Sequence, residues 1–220
     1  MKRFLKKINR GLLLGAALLI GLTVFIIVKE VQFRTEQPEI RENVRDSLQA
    51  LLEVNLAPEG AKLGEDWSDA QRETMRKRLE DALVAHWDAD GENDYYYTAA
   101  EVRAWYEEYL TKECLVIFEE ISLELSDDDI RITPNGTDYA TVSVEIDTMS
   151  AVWRGDAEMI FYGESLYFED VQPYTDVVYR GSYEGWFEME LHRIGGEWRV
   201  VATSGYFSLA HKTPVTGGTN

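Results

Sequence analysis

The chain has 220 residues and a formal net charge of −18, with 45% apolar and 12% aromatic residues. This length and apolar content suffice for a folded domain with its own core plus an appendage, and they exclude a disordered chain. Residues 1–34 hold seven basic side chains and one acidic side chain, so the remainder is more acidic than the chain as a whole. Because such a segment repels phosphates, we expect no nucleic-acid partner.

An uncharged apolar stretch follows the basic N-terminus. Residues 11–28, GLLLGAALLIGLTVFIIV, would span about 27 Å as a helix, close to the roughly 30 Å hydrocarbon core of a bilayer. More basic residues precede the stretch than follow it, which keeps the N-terminus in the cytoplasm. The alternative, a cleaved signal peptide, would need small residues where Phe25–Val28 stand.

We therefore predict four segments along a single-pass protein of the cell membrane. They are a cytoplasmic stub (residues 1–10), a transmembrane anchor (11–33, inserted through 11–28), an extracytoplasmic domain (34–207) and a flexible tail (208–220). Cys114 is the only cysteine, so no intramolecular disulfide can form. A fold without disulfides suits a bacterial cell-surface protein better than a small secreted scaffold.

Apolar residues at helical spacing predict three amphipathic helices after the anchor. We expect Thr35–Pro38 to end the anchor helix and begin the first of them. The capping boxes Ser68-x-x-Gln71 and Thr98-x-x-Glu101 begin the second and third. The residues expected to face the core are Ile40, Val44, Leu48, Leu51, Leu52, Met75, Leu79, Leu83, Trp87, Val102, Trp105, Tyr106, Tyr109 and Leu110.

From Leu115 onward the apolar period changes from helical to two. The clearest strand alternates Ala140, Val142, Val144 and Ile146 with polar residues, and Asn135-Gly136 before it predicts a two-residue hairpin turn. Further strands are predicted over residues 157–161, 165–169, 176–183, 186–194 and 198–207, with Gly195-Gly196 as the last turn. The fold class is therefore α+β: an N-terminal transmembrane helix, then three amphipathic helices packed on a curved antiparallel sheet of about five or six strands.

This order of elements, together with the closing hairpin GGEWRVV (Gly195–Val201), resembles the nuclear-transport-factor-2-like superfamily of cone-shaped domains. The resemblance covers roughly residues 36–207 and departs from the family pattern in placing all three helices before the first long strand. It implies a cone whose cavity either binds ligands or carries a dehydratase- or isomerase-like site. In such a site a carboxylate or histidine acts as general base beside a tyrosine.

Residues 88–101, DADGENDYYYTAAE, concentrate acidic side chains between two helices. Counted from Asp90, a twelve-residue calcium loop would use Asp90, Glu92, Asp94, Thr98 and Glu101. Tyr95, however, occupies the position where such a loop needs glycine, and Thr98 and Glu101 are explained by the helix cap. A capped hinge is the favoured interpretation, with calcium as the alternative.

The function classes that remain are binding and catalysis. Glu188 and His192 alternate with core residues along one strand and form, with Tyr183, the candidate catalytic set; a solvated sheet face is the favoured alternative. We predict no cofactor, and a non-catalytic binding or assembly domain of the bacterial cell envelope. Its partner is expected to be an envelope protein or a small ligand. The sequence leaves open whether the chain also forms a homo-oligomer. The alternative is a small-molecule dehydratase or isomerase.

Overall fold

The computed structural model describes residues 10–114, 116–155, 159–160 and 177–215, with residues 10–13 and 159–160 described by their backbone alone. The elements are α1 (Arg10–Val54), α2 (Asp69–His86), β1 (Tyr97–Thr98), α3 (Ala99–Tyr109), β2 (Val116–Leu123), β3 (Ile130–Pro134), β4 (Tyr139–Gly155), β5 (Met159–Ile160), β6 (Val178–Ile194) and β7 (Glu197–Pro214). Helices come first and strands follow, as the α+β prediction requires.

The chain divides into two compact units, one that ends at Pro38 and one that begins at Glu39. Among the described residues, α1 is the one helix with the length and apolar composition needed to cross a membrane. The predicted helix break at Thr35–Pro38 is wrong, because Pro38 lies inside α1. A proline removes one backbone hydrogen bond without forbidding a helix, and its neighbours Gln37 and Glu39 are good helix formers.

The strands of the second unit form one antiparallel sheet of seven strands, counted over the described residues. The order is β1-β7-β6-β4-β2, with β3 paired to β4 and β5 to β7. The long strands carry register shifts, one of them between Ile146 and Met149 of β4. Such bulges bend and twist a strand, so a sheet built from these strands curves. The predicted fold class is confirmed.

Three local predictions differ from the structure. Residues 176–183 and 186–194 do not form two strands, because β6 runs unbroken from Val178 to Ile194. The turn at Asn135-Gly136 is a four-residue loop, closed by a hydrogen bond from the Asn135 amide to the Tyr139 carbonyl at 3.0 Å. The tail predicted from residue 208 is β-strand as far as Pro214, because residues 208–214 pair with the first half of β6.

Gly185 explains why β6 reads as two strands in the sequence. Glycine is a common strand breaker, but here a Cβ would lie 2.7 Å from the Phe207 ring and 2.8 Å from the Tyr206 carbonyl oxygen. The glycine therefore serves the close approach of β6 and β7. The strands predicted over residues 157–161 and 165–169 fall wholly or mostly outside the described residues.

The core lies between the helices of the second unit and one face of the sheet. The Trp87 indole donates to the Ser47 hydroxyl at 3.0 Å, and the Tyr106 hydroxyl donates to the Val54 carbonyl at 2.9 Å, so the buried polar atoms of these aromatics are satisfied. The predicted core residues are buried, except that Trp105 and Tyr109 are partly exposed. Side chains wholly removed from solvent include Ile40, Leu48, Met75, Val142, Val144, Phe187 and Met189.

Candidate functional site

The loop between α2 and α3 is tied to the face of the sheet opposite the core. The side-chain oxygen of Asn93 accepts hydrogen bonds from the backbone amides of Tyr95 and Tyr96, both at 2.8 Å. The amide nitrogen of Asn93 donates to a carboxylate oxygen of Glu190 on β6 at 2.5 Å. One asparagine therefore shapes the loop and fastens it to the sheet.

The helix cap predicted at the end of this loop is confirmed. The carboxylate of Glu101 accepts from the Thr98 amide at 2.9 Å, and the Thr98 hydroxyl accepts from the Glu101 amide at 3.5 Å. Thr98 and Glu101, which the calcium alternative would use as ligands, are thus engaged with the backbone in the helix cap. Asp90, Glu92 and Asp94 are exposed, and in the described part of the chain no three acidic, histidine or cysteine side chains are grouped as metal ligands.

The face of β6 opposite the core carries the predicted Glu188 and His192. Residues of the loop between α2 and α3 lie against this face. One carboxylate oxygen of Glu190 lies 3.0 Å from Nε2 of His192, and the Tyr96 hydroxyl donates to Glu188. We call Asn93, Tyr96, Glu188, Glu190 and His192 the loop–sheet cluster. It joins the two acidic segments that the sequence offered as separate candidates.

Tyr96 has a strongly displaced pKa. Partial burial, which disfavours the charged form, and the hydrogen bond to Glu188 together raise the pKa of Tyr96 to about 12. The negative charges of Glu188 and Glu190 act in the same direction. Tyr96 therefore stays a hydrogen-bond donor throughout the physiological pH range.

Tyr183 does not join the cluster. It is wholly buried and packs against Trp153 in a tilted arrangement, with ring centroids 5.5 Å apart, on the core face of β6. Because side chains alternate across a strand, an odd-numbered residue on β6 faces away from Glu188 and His192. The tyrosine beside Glu188 is instead Tyr96, which the sequence patterns did not single out. The feature that could have indicated it is the Asx turn at Asn93, just before the helix cap.

Further along the same open face lies a groove with a volume of about 460 Å³. Cross-strand register places Glu145 on β4 opposite Trp186 on β6, and Trp186 opposite Tyr206 on β7. Trp186 is 39% exposed and Tyr206 is 47% exposed, which is unusual for large aromatic side chains in a sheet. We call this the acidic–aromatic groove; its lining residues are Glu145, Ile146, Asp147, Glu184, Gly185, Trp186, Tyr206 and Ser208.

A β-bulge shapes one wall of this groove. The pairs Ile146–Gly185 and Met149–Tyr183 are in register, so Asp147 and Thr148 both stand opposite the single residue Glu184. A bulge of this kind turns side chains toward a face that regular alternation would deny them. Asp147 and Glu184 both line the groove at this point, so two like charges lie across the strand pair, an arrangement that costs stability.

The acids of the groove differ from acids elsewhere on this domain. Glu107 and Glu80 form bidentate ion pairs with Arg76 and Arg103, with the shortest N–O distances at 2.6 Å. Within the described residues, the carboxylates of Glu145, Asp147 and Glu184 have no such partner. The groove is therefore a site of uncompensated negative charge beside two open aromatic rings.

Comparisons with known proteins identify no family for this chain and no activity for this site. No family model matches the chain, and a search of curated proteins found none similar to it. Among solved structures, a hexachlorocyclohexane dehydrochlorinase (LinA, type 2) is similar over 80% of this chain and 92% of its own length, with 15% identity and a TM-score of 0.32. A likeness this loose says nothing about activity.

Proposed function

We propose that this protein is anchored in the cytoplasmic membrane of a bacterium by residues 11–28 and holds its acidic α+β domain on the outer side. The support is the apolar run of α1, long enough to cross a bilayer, and the excess of basic residues before it. On this proposal the domain recognises a partner in the envelope, and its role is assembly or capture rather than catalysis.

The observation that carries the binding function is the acidic–aromatic groove. Aromatic side chains such as Trp186 and Tyr206 are enriched where proteins meet their partners, because they offer large apolar area at low entropic cost. Both are substantially exposed, on a face whose opposite side is already buried in the core. An open face of this kind suits recognition of another molecule better than enclosure of a substrate.

Photo-cross-linking in cells tests this proposal. Tyr206 is replaced with the photoreactive residue p-benzoylphenylalanine in the full-length chain, and Val84 is replaced in a control. Val84 is 67% exposed on α2 and so reports on a helix surface outside the groove. We expect a protein adduct from position 206 and none from position 84. Equal adducts from both positions, or none from either, would contradict a binding function of this face.

A second candidate function rests on the hydrogen bond between Tyr96 and Glu188. A partly buried carboxylate beside a tyrosine donor is the pair that a proton-transferring enzyme would use. The alternative role is structural, since Asn93 through Glu190 and Tyr96 through Glu188 also fasten the loop to β6. Catalytic groups commonly cost stability, so replacing Tyr96 with Phe would leave the protein equally or more stable if the pair is catalytic. Loss of stability favours the fastening role.

A further inference from the structure

The acidic–aromatic groove presents negative charge and aromatic faces together. Glu145 and Tyr206 are the direct cross-strand neighbours of Trp186, so their Cβ atoms stand about 5 Å from it. Asp147 and Glu184 face each other one step along the strands at the bulge. A cation in this groove would meet aromatic faces and carboxylates at once.

Taking the binding role of this face as its premise, we propose that the groove holds an arginine side chain from a basic segment of a partner protein. The guanidinium group is planar, stacks on aromatic faces and donates in pairs to carboxylates, which matches an exposed Trp186 beside Glu145 and Glu184. Its charge would relieve the repulsion between Asp147 and Glu184. Lysine would fit less well because its ammonium group neither stacks on an aromatic ring nor donates two parallel hydrogen bonds to one carboxylate.

The form of the groove favours a side chain on a polypeptide over a free small cation. Trp186 and Tyr206 keep 39% and 47% of their surface exposed, so the groove leaves much of any occupant in contact with water. A small ligand gains most when a pocket buries nearly all of it. A polypeptide gains further contacts along the open face, and the acidic domain steers a basic segment toward it.

The test measures binding of a defined peptide to the full-length protein in phosphatidylcholine nanodiscs, whose neutral headgroups do not attract the peptide. The probe is acetyl-Gly-Arg-Gly-Arg-Gly-amide, titrated by calorimetry at physiological salt. A matched peptide carries citrulline, which has the shape of arginine without its charge. We expect saturable binding of the arginine peptide, and at least about tenfold weaker binding of the citrulline peptide.

Substitutions then locate the site. Trp186→Ala should weaken the arginine peptide about three- to thirtyfold, with Trp186→Phe intermediate because it keeps a ring. The matched control is Tyr95→Ala, since Tyr95 is an aromatic side chain 89% exposed outside the groove, and it should bind like the natural protein. Thermal unfolding of each variant separates loss of binding from loss of fold.

A charge-matched pair of variants separates a site from general attraction. The double variant Glu145→Gln with Glu184→Gln removes two charges inside the groove; Glu42→Gln with Asp81→Asn removes two exposed charges elsewhere. The proposal requires a larger loss from the first pair. Equal losses from both pairs, or a citrulline peptide that binds as well as the arginine peptide, would overturn it.

Two further outcomes also count against the inference. If spermine binds in the groove more tightly than the peptide, the occupant is a free polyamine and the assignment to a protein segment is wrong. If the peptide does not bind while position 206 still cross-links to a protein in cells, the inference fails and the proposed binding function stands. If cross-linking from that position fails as well, both fall.

Discussion

The hydrogen bond from Tyr96 to Glu188 gives a prediction with a worked magnitude. Tyr96→Phe removes the hydroxyl and leaves the ring. A hydrogen bond to a charged group contributes about 1.5–3 kcal/mol, and the partial exposure of this pair reduces the expected loss to about 1–2 kcal/mol at pH 8. The loss is one of global stability, because the bond joins the loop to the central strand β6.

The pKa of Tyr96 makes this difference depend on pH. In the unfolded chain a tyrosine loses its proton near pH 10, whereas burial and Glu188 raise the pKa of the folded form to about 12. Between these two values the unfolded state binds fewer protons than the folded state, so rising pH lowers the stability of the natural protein. At pH 11 this amounts to at most about 1.4 kcal/mol, or about 1 kcal/mol with screening.

The assay is urea unfolding of both proteins, full length in a non-ionic detergent, at pH 8, 9, 10 and 11. Every other tyrosine titrates in both chains and cancels in the difference. We expect the stability advantage of the natural protein over Tyr96→Phe to hold to pH 9 and to shrink by about 1 kcal/mol by pH 11. A difference that stays constant to pH 11 would refute the assigned hydrogen bond and burial.

Three further predictions follow from other parts of the chain. Gly205→Ala should destabilise the fold by more than about 3 kcal/mol, because a Cβ there would collide with the Trp186 carbonyl oxygen; a midpoint in urea within error of the natural protein would contradict this. Thr98→Ala should cost about 1 kcal/mol through the lost cap, and added calcium should not shift the melting temperature of the natural protein; a calcium-dependent rise would restore the calcium interpretation. Leu18→Arg with Leu22→Arg should raise the cost of inserting the anchor by about 6 kcal/mol, so that fractionation finds the chain outside the membrane; unchanged membrane association would count against the anchor.

Local sequence patterns predicted those parts of the fold that local forces determine. Both capping boxes form, because their side chains bond to a backbone only three residues away. The alternation of Ala140, Val142 and Val144 identified both the strand and its buried face. Gly185 misled the assignment because its cause, the ring of Phe207 on the neighbouring strand, is remote in sequence.

The candidate site was predictable only in part, for the same reason. The alternation of Glu188 and His192 with core residues placed them correctly on one face of β6. The contacts of this strand with the loop, Asn93 with Glu190 and Tyr96 with Glu188, join positions about a hundred residues apart, which periodicity cannot reveal. The acidic–aromatic groove likewise depends on the register of β4, β6 and β7 and on a bulge in β4, and both are set by strand pairing.

Cysteine accessibility tests the central claim, that the acidic domain lies outside the cytoplasm, most directly. The only natural cysteine, Cys114, is buried, and burial raises the pKa of its thiol to about 11, so the natural chain is an unreactive control. Tyr95→Cys introduces a thiol at a position 89% exposed, and Phe4→Cys introduces one before the apolar run. A membrane-impermeant maleimide is applied to spheroplasts. We predict that Tyr95→Cys is labelled directly and Phe4→Cys only after the membrane is permeabilised; the reverse pattern would contradict the account.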